Sequence, residues 1–178
     1  MIYMIIKNKI IFFTLLSCII YSCKIQKKIT RIAQTECDSL YFDLNIGMIN
    51  SVSPRLQQSE IREWFTCYTS IIPDGDNSNC GGGIIYANHS FIYYTFANFV
   101  EINKNFKGKI SSPLMGIPRN EAFHATGAQM EFFQRPEYPE NDFFLTDYGC
   151  LRLDYKSDTV VAISAHFSHC ENVDVCIP

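Results

Sequence analysis

The sequence lacks an apolar run long enough to cross a membrane. Its amino-terminal run, Ile10–Tyr21, has twelve residues and is apolar apart from Thr14 and Ser17. Twelve residues rise about 18 Å as a helix, whereas the hydrocarbon core of a bilayer is roughly 30 Å thick. Because Lys7 and Lys9 precede the run, a cleaved signal peptide is a better interpretation than a membrane span.

The common catalytic motifs are also absent. Neither GxSxG nor HExxH occurs, and His89, His124 and His166 have no recognisable acidic partner in the sequence. A set with the composition of a metal site consists of His166, His169, Cys170 and Cys176. On a strand, however, residues three apart point to opposite faces, and disulfide bonding would remove the thiolates that zinc needs. The sequence therefore predicts no enzyme, no cofactor and no metal.

Basic residues are scarce beyond the amino-terminal region. From Ile32 onward nine Lys and Arg stand against eighteen Asp and Glu, which gives a net charge of −9. An acidic body disfavours nucleic acid as a partner, although solubility alone also calls for net charge. A basic tether just before Ile32 would instead favour anionic lipid headgroups, and it contains Lys24, Lys27, Lys28 and Arg31.

The signal peptide ends in Ile20, Tyr21, Ser22 and Cys23, which is similar to the lipobox of bacterial lipoproteins. In that resemblance Cys23 is the lipidated first residue of the mature chain. Leu15–Cys18 is a second candidate lipobox, and an ordinary signal peptide or a retained anchor is a further alternative. The resemblance implies a lipid-anchored protein of the cell envelope, facing the periplasm from the outer membrane.

Export explains the cysteines, because thiols pair in an oxidising compartment. Six of them follow Cys23, namely Cys37, Cys67, Cys80, Cys150, Cys170 and Cys176. Only local pairs can be predicted from the sequence, and these are Cys67 with Cys80 and Cys170 with Cys176. The connectivity of Cys37 and Cys150 stays open.

The segment Cys67–Tyr86, CYTSIIPDGDNSNCGGGIIY, has three interpretations. As a calcium loop it has Asp74 and Asp76 at the right spacing but lacks the Gly and the Glu that an EF-hand requires. As a phosphate loop, Gly81–Gly83 lacks the following Lys and Ser or Thr. We therefore expect a turn between a helix and a sheet, with Cys67 and Cys80 bonded at its ends.

The first half of the chain predicts a strand, a helix and three further strands. Ser59 is expected to cap the helix, and Ile61, Trp64 and Phe65 to form its inner face. The strands are rich in Ile, Tyr and Phe, as half-buried strands are, and they are Leu40–Leu44, Gly83–Ala87, Ser90–Phe96 and Phe99–Ile102.

The second half repeats this order. A short helix, Arg119–Ala125, follows Pro118 with Ala122 inward and ends at Gly127, and a polar loop with Pro136 and Pro139 comes next. A hairpin then pairs Gly149–Tyr155 with Thr159–Phe167. Leu151, Leu153 and Tyr155 alternate with Arg152 and Asp154, which predicts one face on the core and one in water.

The opening of this second half, Gly116–Ala122 with Gly127, resembles the repeat of β-lactamase-inhibitor-protein-like folds, and GCLRLDYKSDTVVAI is similar to that repeat's closing hairpin. Small outer-membrane assembly lipoproteins share the repeat. Gly47 and Met48 resemble the start of a first copy, with an insertion before its helix. The resemblance spans Leu40–Phe167, and it implies a disulfide just after each helical part, where Cys67 and Cys80 fall.

The expected fold is α+β, with two tandem helix-loop-antiparallel-sheet repeats that form one mainly antiparallel sheet carrying short helices on one face. The expected organisation is a lipoprotein signal peptide at 1–22, a lipid anchor and basic tether at 23–39, and repeats at 40–109 and 110–178.

The expected function is that of a non-catalytic envelope lipoprotein that binds another protein through its sheet, as an inhibitor or a toxin-immunity protein. A structural accessory of outer-membrane assembly is the alternative. The −9 charge predicts a partner that is basic at the contact. Tyr93 or Tyr94, whichever faces away from the helices, is the candidate anchor, and Asp74 and Asp76 are the candidate steering residues.

Overall fold

The computed structural model describes residue 37 and residues 39–73, 81–86 and 90–174. In chain order its elements are β1 (Tyr41–Asp43), β2 (Met48–Ile49), α1 (Gln58–Trp64), β3 (Tyr68–Ile72), β4 (Gly83–Tyr86), β5 (Phe91–Tyr94), β6 (Phe99–Asn103), β7 (Lys109–Ile110), α2 (Arg119–Gly127), β8 (Glu131–Phe133), β9 (Asn141–Thr146), β10 (Gly149–Lys156), β11 (Thr159–His166) and a 3₁₀ turn, Cys170–Asn172. The fold is α+β, as predicted.

Most of the strands form one antiparallel sheet. Its eight strands lie in the order β3-β4-β5-β6-β11-β10-β9-β8, so that β6 and β11 pair at its centre. A small mixed sheet has the order β2-β1-β7, with β1 parallel to β7. The predicted boundary between residues 109 and 110 therefore falls inside β7. No helix within the described ranges is long and apolar enough to cross a bilayer.

Helix α1 packs on the sheet through Ile61, which is fully buried, and Phe65 just beyond its end is 6% exposed. Its cap is Gln57 rather than the predicted Ser59: the carboxylate of Glu60 accepts a hydrogen bond from the Gln57 backbone N–H at 2.9 Å. Trp64 was predicted to point inward, but its side chain is exposed. In so short a helix only the Ile61 side reaches the core.

Strands β4, β5 and β6 confirm three of the predicted strands; β4 and β5 are slightly shorter than predicted, and β6 is one residue longer. Their side chains alternate between the two faces of the sheet. Ile84, Tyr86, Phe91, Tyr93, Val100 and Ile102 face the helices and join Ile61 and Ala122 in the main core. Strand β3 is a correction: the sequence predicts a turn at Tyr68–Ile72, and this segment instead forms the edge of the sheet beside β4.

Helix α2 begins after Pro118 and extends to Gly127, with Ala122 buried as predicted. The segment that follows was predicted to be a polar loop, yet it contains the edge strand β8 and all of β9. The β10–β11 hairpin is present where it was predicted. Ser157 and Asp158 both have positive φ, which gives a turn suited to a tight hairpin.

Both predicted disulfide pairings are wrong. Cys67 is bonded to Cys37, with Cα atoms 5.5 Å apart, and Cys170 is bonded to Cys150, with Cα atoms 5.0 Å apart. The pairs join residues 30 and 20 positions apart, so neither is local. Cys80 and Cys176 lie outside the described residues.

Candidate functional site: the helix-free face of the sheet

One face of the eight-stranded sheet packs against α1 and α2, and no described α-helix packs on the other. We call this second surface the helix-free face. It is formed by the side chains of Ser70, Ile85, Ile92, Tyr94, Phe99, Glu101, Ser164, His166, Cys150, Arg152, Asp154, Phe143, Leu145 and Glu131. Apolar residues occupy both ends of the face, and charged residues occupy its middle.

Three rings form a stack across neighbouring strands of the helix-free face. The ring centroids of Tyr94 and Phe99 are 4.2 Å apart and their planes are 19° apart, while Phe99 and His166 are 4.3 Å and 24° apart. The strand register sets these contacts, because Tyr94 lies opposite Phe99 and Phe99 opposite His166. Phe99 and His166, two of the three rings, are almost fully buried.

A charged network lies beside this stack. The Nη2 atom of Arg152 is 3.1 Å from Glu101 Oε2 and 2.9 Å from Asp154 Oδ2, and its Nε atom is 2.7 Å from Asp154 Oδ1. Ser164 donates a hydrogen bond to Glu101 Oε2 at 3.1 Å, and Asn141 donates one to Asp154 Oδ1. Two carboxylates therefore share one guanidinium, and the trio carries a net charge of −1.

The guanidinium of Arg152 lies deeper in the protein than the two carboxylates that it binds. The side chain of Arg152 is 2% exposed, whereas those of Glu101 and Asp154 are 21% and 20% exposed. Water and other molecules can therefore reach the carboxylates but not the guanidinium. Arg152 was predicted to face water, and that prediction is wrong: alternation along β10 places it opposite the buried Leu151 and Leu153, but its guanidinium is covered on that face as well and is paired with Glu101 and Asp154.

Burial changes the ionisation of this cluster. It raises the pKa of Glu101, an effect that Arg152 opposes and Asp154 reinforces. Burial, with a smaller effect of Glu101, raises the pKa of Tyr94 to about 12. Burial, together with the Arg152 charge, holds the pKa of His166 well below its ordinary value, so His166 is neutral at pH 7. A group that adds positive charge near Glu101 would stabilise its ionised form.

Ser164 and His166, the two side chains of this face that could take part in proton transfer, are engaged in other contacts. Ser164 is fully buried and its hydroxyl is bonded to Glu101, so it is not placed to attack a substrate. His166 stacks on Phe99, and within the described residues its Nε2 atom has no hydrogen-bond partner that could orient it as a base.

The far end of the helix-free face is covered by the segment around the 3₁₀ turn. The Cys150–Cys170 disulfide attaches this segment to β10, and Val173 packs beside Phe143. Arg135 reinforces the attachment, since its Nη1 donates hydrogen bonds to the carbonyls of Cys170 at 2.8 Å and Val173 at 2.5 Å. The part of the face around Cys150 and Phe143 is therefore covered by this segment.

The structure separates the two candidate tyrosines. Tyr93 faces the helices and is fully buried, and its hydroxyl donates to the Val52 carbonyl at 3.2 Å. Tyr94 faces the opposite way and belongs to the helix-free face. Cys23, Asp74, Asp76, Cys80 and Cys176 lie outside the described residues.

The sequence does not predict this network. Glu101 lies in a strand that is otherwise aromatic and apolar, and Arg152 was predicted to face water. The pairs Glu101–Ser164 and Ser164–Arg152 are cross-strand neighbours, so the network depends on the β6–β11 pairing. Only the position of charged residues inside otherwise apolar strands could have indicated it.

Comparison of the chain with protein-family models, with curated proteins and with solved structures finds no significant match.

Proposed function

We propose that this chain is a non-catalytic, lipid-anchored envelope protein that binds another protein through its helix-free face. The observation that supports the proposal is the charge imbalance on that face, where Glu101 and Asp154 share the guanidinium of Arg152 and only the carboxylates are accessible. A partial desolvation of the two carboxylates makes a second cation favourable there. The partner is therefore basic at the contact.

Tyr94 is the proposed aromatic anchor beside Glu101 and Asp154, which we call the acidic rim. Its ring is held against Phe99 and is 8% exposed, so it offers a small, rigid contact edge. Tyrosine is one of the residues enriched at interface hot spots. Opposite potentials would speed the encounter of the two proteins and would weaken as salt rises.

The proposal also concerns how the two halves of the eight-stranded sheet are related. We propose that α1 with β3–β6 and α2 with β8–β11 are two copies of one repeat. The support is that each unit has one helix followed by four antiparallel strands, and that the last strands of the two units, β6 and β11, pair with each other. Inhibitor, immunity and assembly roles are all compatible with a sheet built in this way, so the partner rather than the fold decides among them.

Photo-cross-linking tests the contact face. Ser70 and Glu131 are exposed residues near opposite edges of the helix-free face, and Glu121 is an exposed residue on α2. A standard interface covers about 800 Å² per partner, which spans several strands about 4.8 Å apart. We expect a photoreactive residue at position 70 or 131 to cross-link one envelope protein, and the same residue at position 121 to cross-link none.

The salt dependence of this adduct is the second readout. We expect its yield to fall between low salt and about 1 M salt, where the Debye length is about 3 Å. An equal adduct from position 121, or an adduct from positions 70 and 131 that is insensitive to salt, would argue against the proposed face or against its electrostatic character.

The lipid anchor is tested separately. We expect radiolabelled palmitate to enter the protein and a Cys23→Ala substitution to abolish the labelling, because Cys23 is the only thiol of the proposed lipobox that would receive the lipid. Cys18→Ala is the matched control and should leave the labelling intact. Labelling that survives Cys23→Ala and disappears with Cys18→Ala would move the anchor to the earlier site.

A further inference from the structure

A groove lies at the amino end of helix α1, where the segment that leads into the helix meets the residues that follow β5. It is lined by residues 55–59 and by Thr95 and Phe96, and its volume is about 370 Å³. Small-molecule sites typically have volumes of about 300 to 1,000 Å³. We call this site the α1 groove. None of its described lining residues belongs to the helix-free face.

Phe96 forms an aromatic platform in the α1 groove. Its side chain is 70% exposed, yet the ring rests against the backbone of Gly81. A Cβ atom at Gly81 would lie 2.6 Å from a ring carbon of Phe96, which is closer than Cβ atoms approach other atoms, and the φ of Gly81 is +65°. Glycine therefore permits both the backbone conformation and the close contact. Most of the ring surface remains open to the groove and to water.

Polar side chains line the rest of the α1 groove. The Nε2 of Gln58 donates a hydrogen bond to the Ile72 carbonyl at 3.0 Å, and the Nη2 of Arg55 donates one to the Phe167 carbonyl at 3.1 Å. These bonds position two long side chains, and the guanidinium of Arg55 has further N–H donors for a ligand. The Ser59 hydroxyl is bonded to no other group of the described residues.

The charges at the α1 groove nearly cancel. Among its described lining residues only Arg55 is charged, and the carboxylate of Glu60 lies close by, where it accepts a hydrogen bond from the Gln57 backbone N–H at 2.9 Å. An ionic ligand would therefore gain little from the charge of the groove. A neutral ligand that combines an apolar face with hydroxyl groups matches the aromatic ring and the polar side chains together.

We propose that the α1 groove binds a neutral saccharide through one pyranose ring. The C–H groups on one face of the sugar would cover the electron-rich face of Phe96, and its hydroxyls would exchange hydrogen bonds with Ser59 and Arg55. A β-glucoside suits this arrangement, because all its ring substituents are equatorial and both faces of the ring are flat. The inference does not depend on the function proposed above for the helix-free face.

Saturation-transfer NMR tests the proposal, because saturation of protein protons passes only to a ligand that binds. The probe is methyl β-D-glucopyranoside, added to the intact protein. We expect transfer to its ring C–H protons, with a dissociation constant on the order of 1 mM, the range for so small a ligand. Sorbitol is the matched control, since it carries similar hydroxyl groups but has no ring face. It should receive no saturation.

Variants locate the contact. Phe96→Leu keeps an apolar side chain but removes the aromatic face, and it should weaken binding about fivefold. Gly81→Ala should weaken binding as well, because the added methyl group displaces the Phe96 ring. Phe132→Leu replaces another exposed aromatic residue, at the edge strand β8, and should leave the affinity unchanged. The proposal is overturned if the glucoside receives no saturation, if sorbitol receives as much, or if Phe96→Leu binds the glucoside as well as the wild type does.

Discussion

Replacement of Arg152 by alanine is expected to destabilise the protein by about 3 kcal/mol. Removing one partner of a buried ion pair typically costs about 3 to 5 kcal/mol, and the partial exposure of Glu101 and Asp154 places this case at the lower end. Without the guanidinium, the two carboxylates would face each other in a poorly solvated setting. Urea unfolding at pH 7 measures the loss.

A triple variant separates the charge effect from simple loss of packing. Arg152→Met combined with Glu101→Gln and Asp154→Asn removes every charge of the network and should recover most of the lost stability. If the triple variant is as unstable as Arg152→Ala, the ion network is not the cause of the loss.

The same network predicts a pH dependence for Arg152→Ala. The pKa of Glu101 is already raised above 4.5 in the folded protein, and removal of Arg152 should raise it further. A carboxyl group with a raised folded pKa destabilises the fold when ionised, and this penalty disappears as the pH falls through the folded value. The difference in stability between the variant and the wild type should therefore shrink as the pH is lowered from 7 towards 4.5. A difference that grows over this range would contradict the assignment.

Removal of the Cys150–Cys170 bond is expected to cost about 3 kcal/mol. The bond closes a loop across 20 positions, and the chain-entropy model gives about this value for loops of similar length. The matched control is the Cys37–Cys67 bond, which spans 30 positions and should contribute between about 3 and 4 kcal/mol. The double substitutions to serine are compared by urea unfolding of oxidised protein.

Peptide mapping without reduction checks the pairing directly. We expect one peptide pair that joins Cys37 to Cys67 and another that joins Cys150 to Cys170. A map in which Cys67 is joined to Cys80, or Cys170 to Cys176, would contradict the structure.

Residues with a strong local pattern could be predicted from the sequence. Leu151, Leu153 and Tyr155 alternate as a half-buried strand must, and they are buried in the main core. Ile61 and Phe65 lie one helical turn apart and are both buried. The β10–β11 hairpin could be predicted because its strands and its turn are adjacent in the chain.

Features that depend on distant parts of the chain could not be predicted in the same way. Asp142 looks like a loop residue, but Arg119 from α2 neutralises it through a contact of 2.6 Å and allows it to lie inside β9. The prediction of the disulfide pairs failed for the same reason, because it relied on proximity in the sequence, whereas proximity in the fold determines which cysteines are bonded. The ionic contact of Glu101 with Arg152 joins residues 51 positions apart.

Trp64 shows the limit of a periodic pattern. Its spacing from Ile61 is that of a buried helical stripe, yet the helix ends at Trp64 and nothing in the described part of the fold covers that side. Periodicity identifies which residues share a side of a helix, but the neighbouring elements decide which of them become buried.

The central claim, that the acidic rim of the helix-free face binds a basic partner, is tested most directly by Glu101→Gln in the photo-cross-linking assay with the reactive residue at position 131. The substitution keeps the shape of the side chain and leaves Arg152 paired with Asp154, so the fold should persist. We predict that the adduct yield falls about tenfold or more for Glu101→Gln, the effect of losing a charged contact worth about 1.4 kcal/mol, and that Glu121→Gln leaves it unchanged. An adduct yield that is the same for Glu101→Gln and for the wild type would contradict the claim.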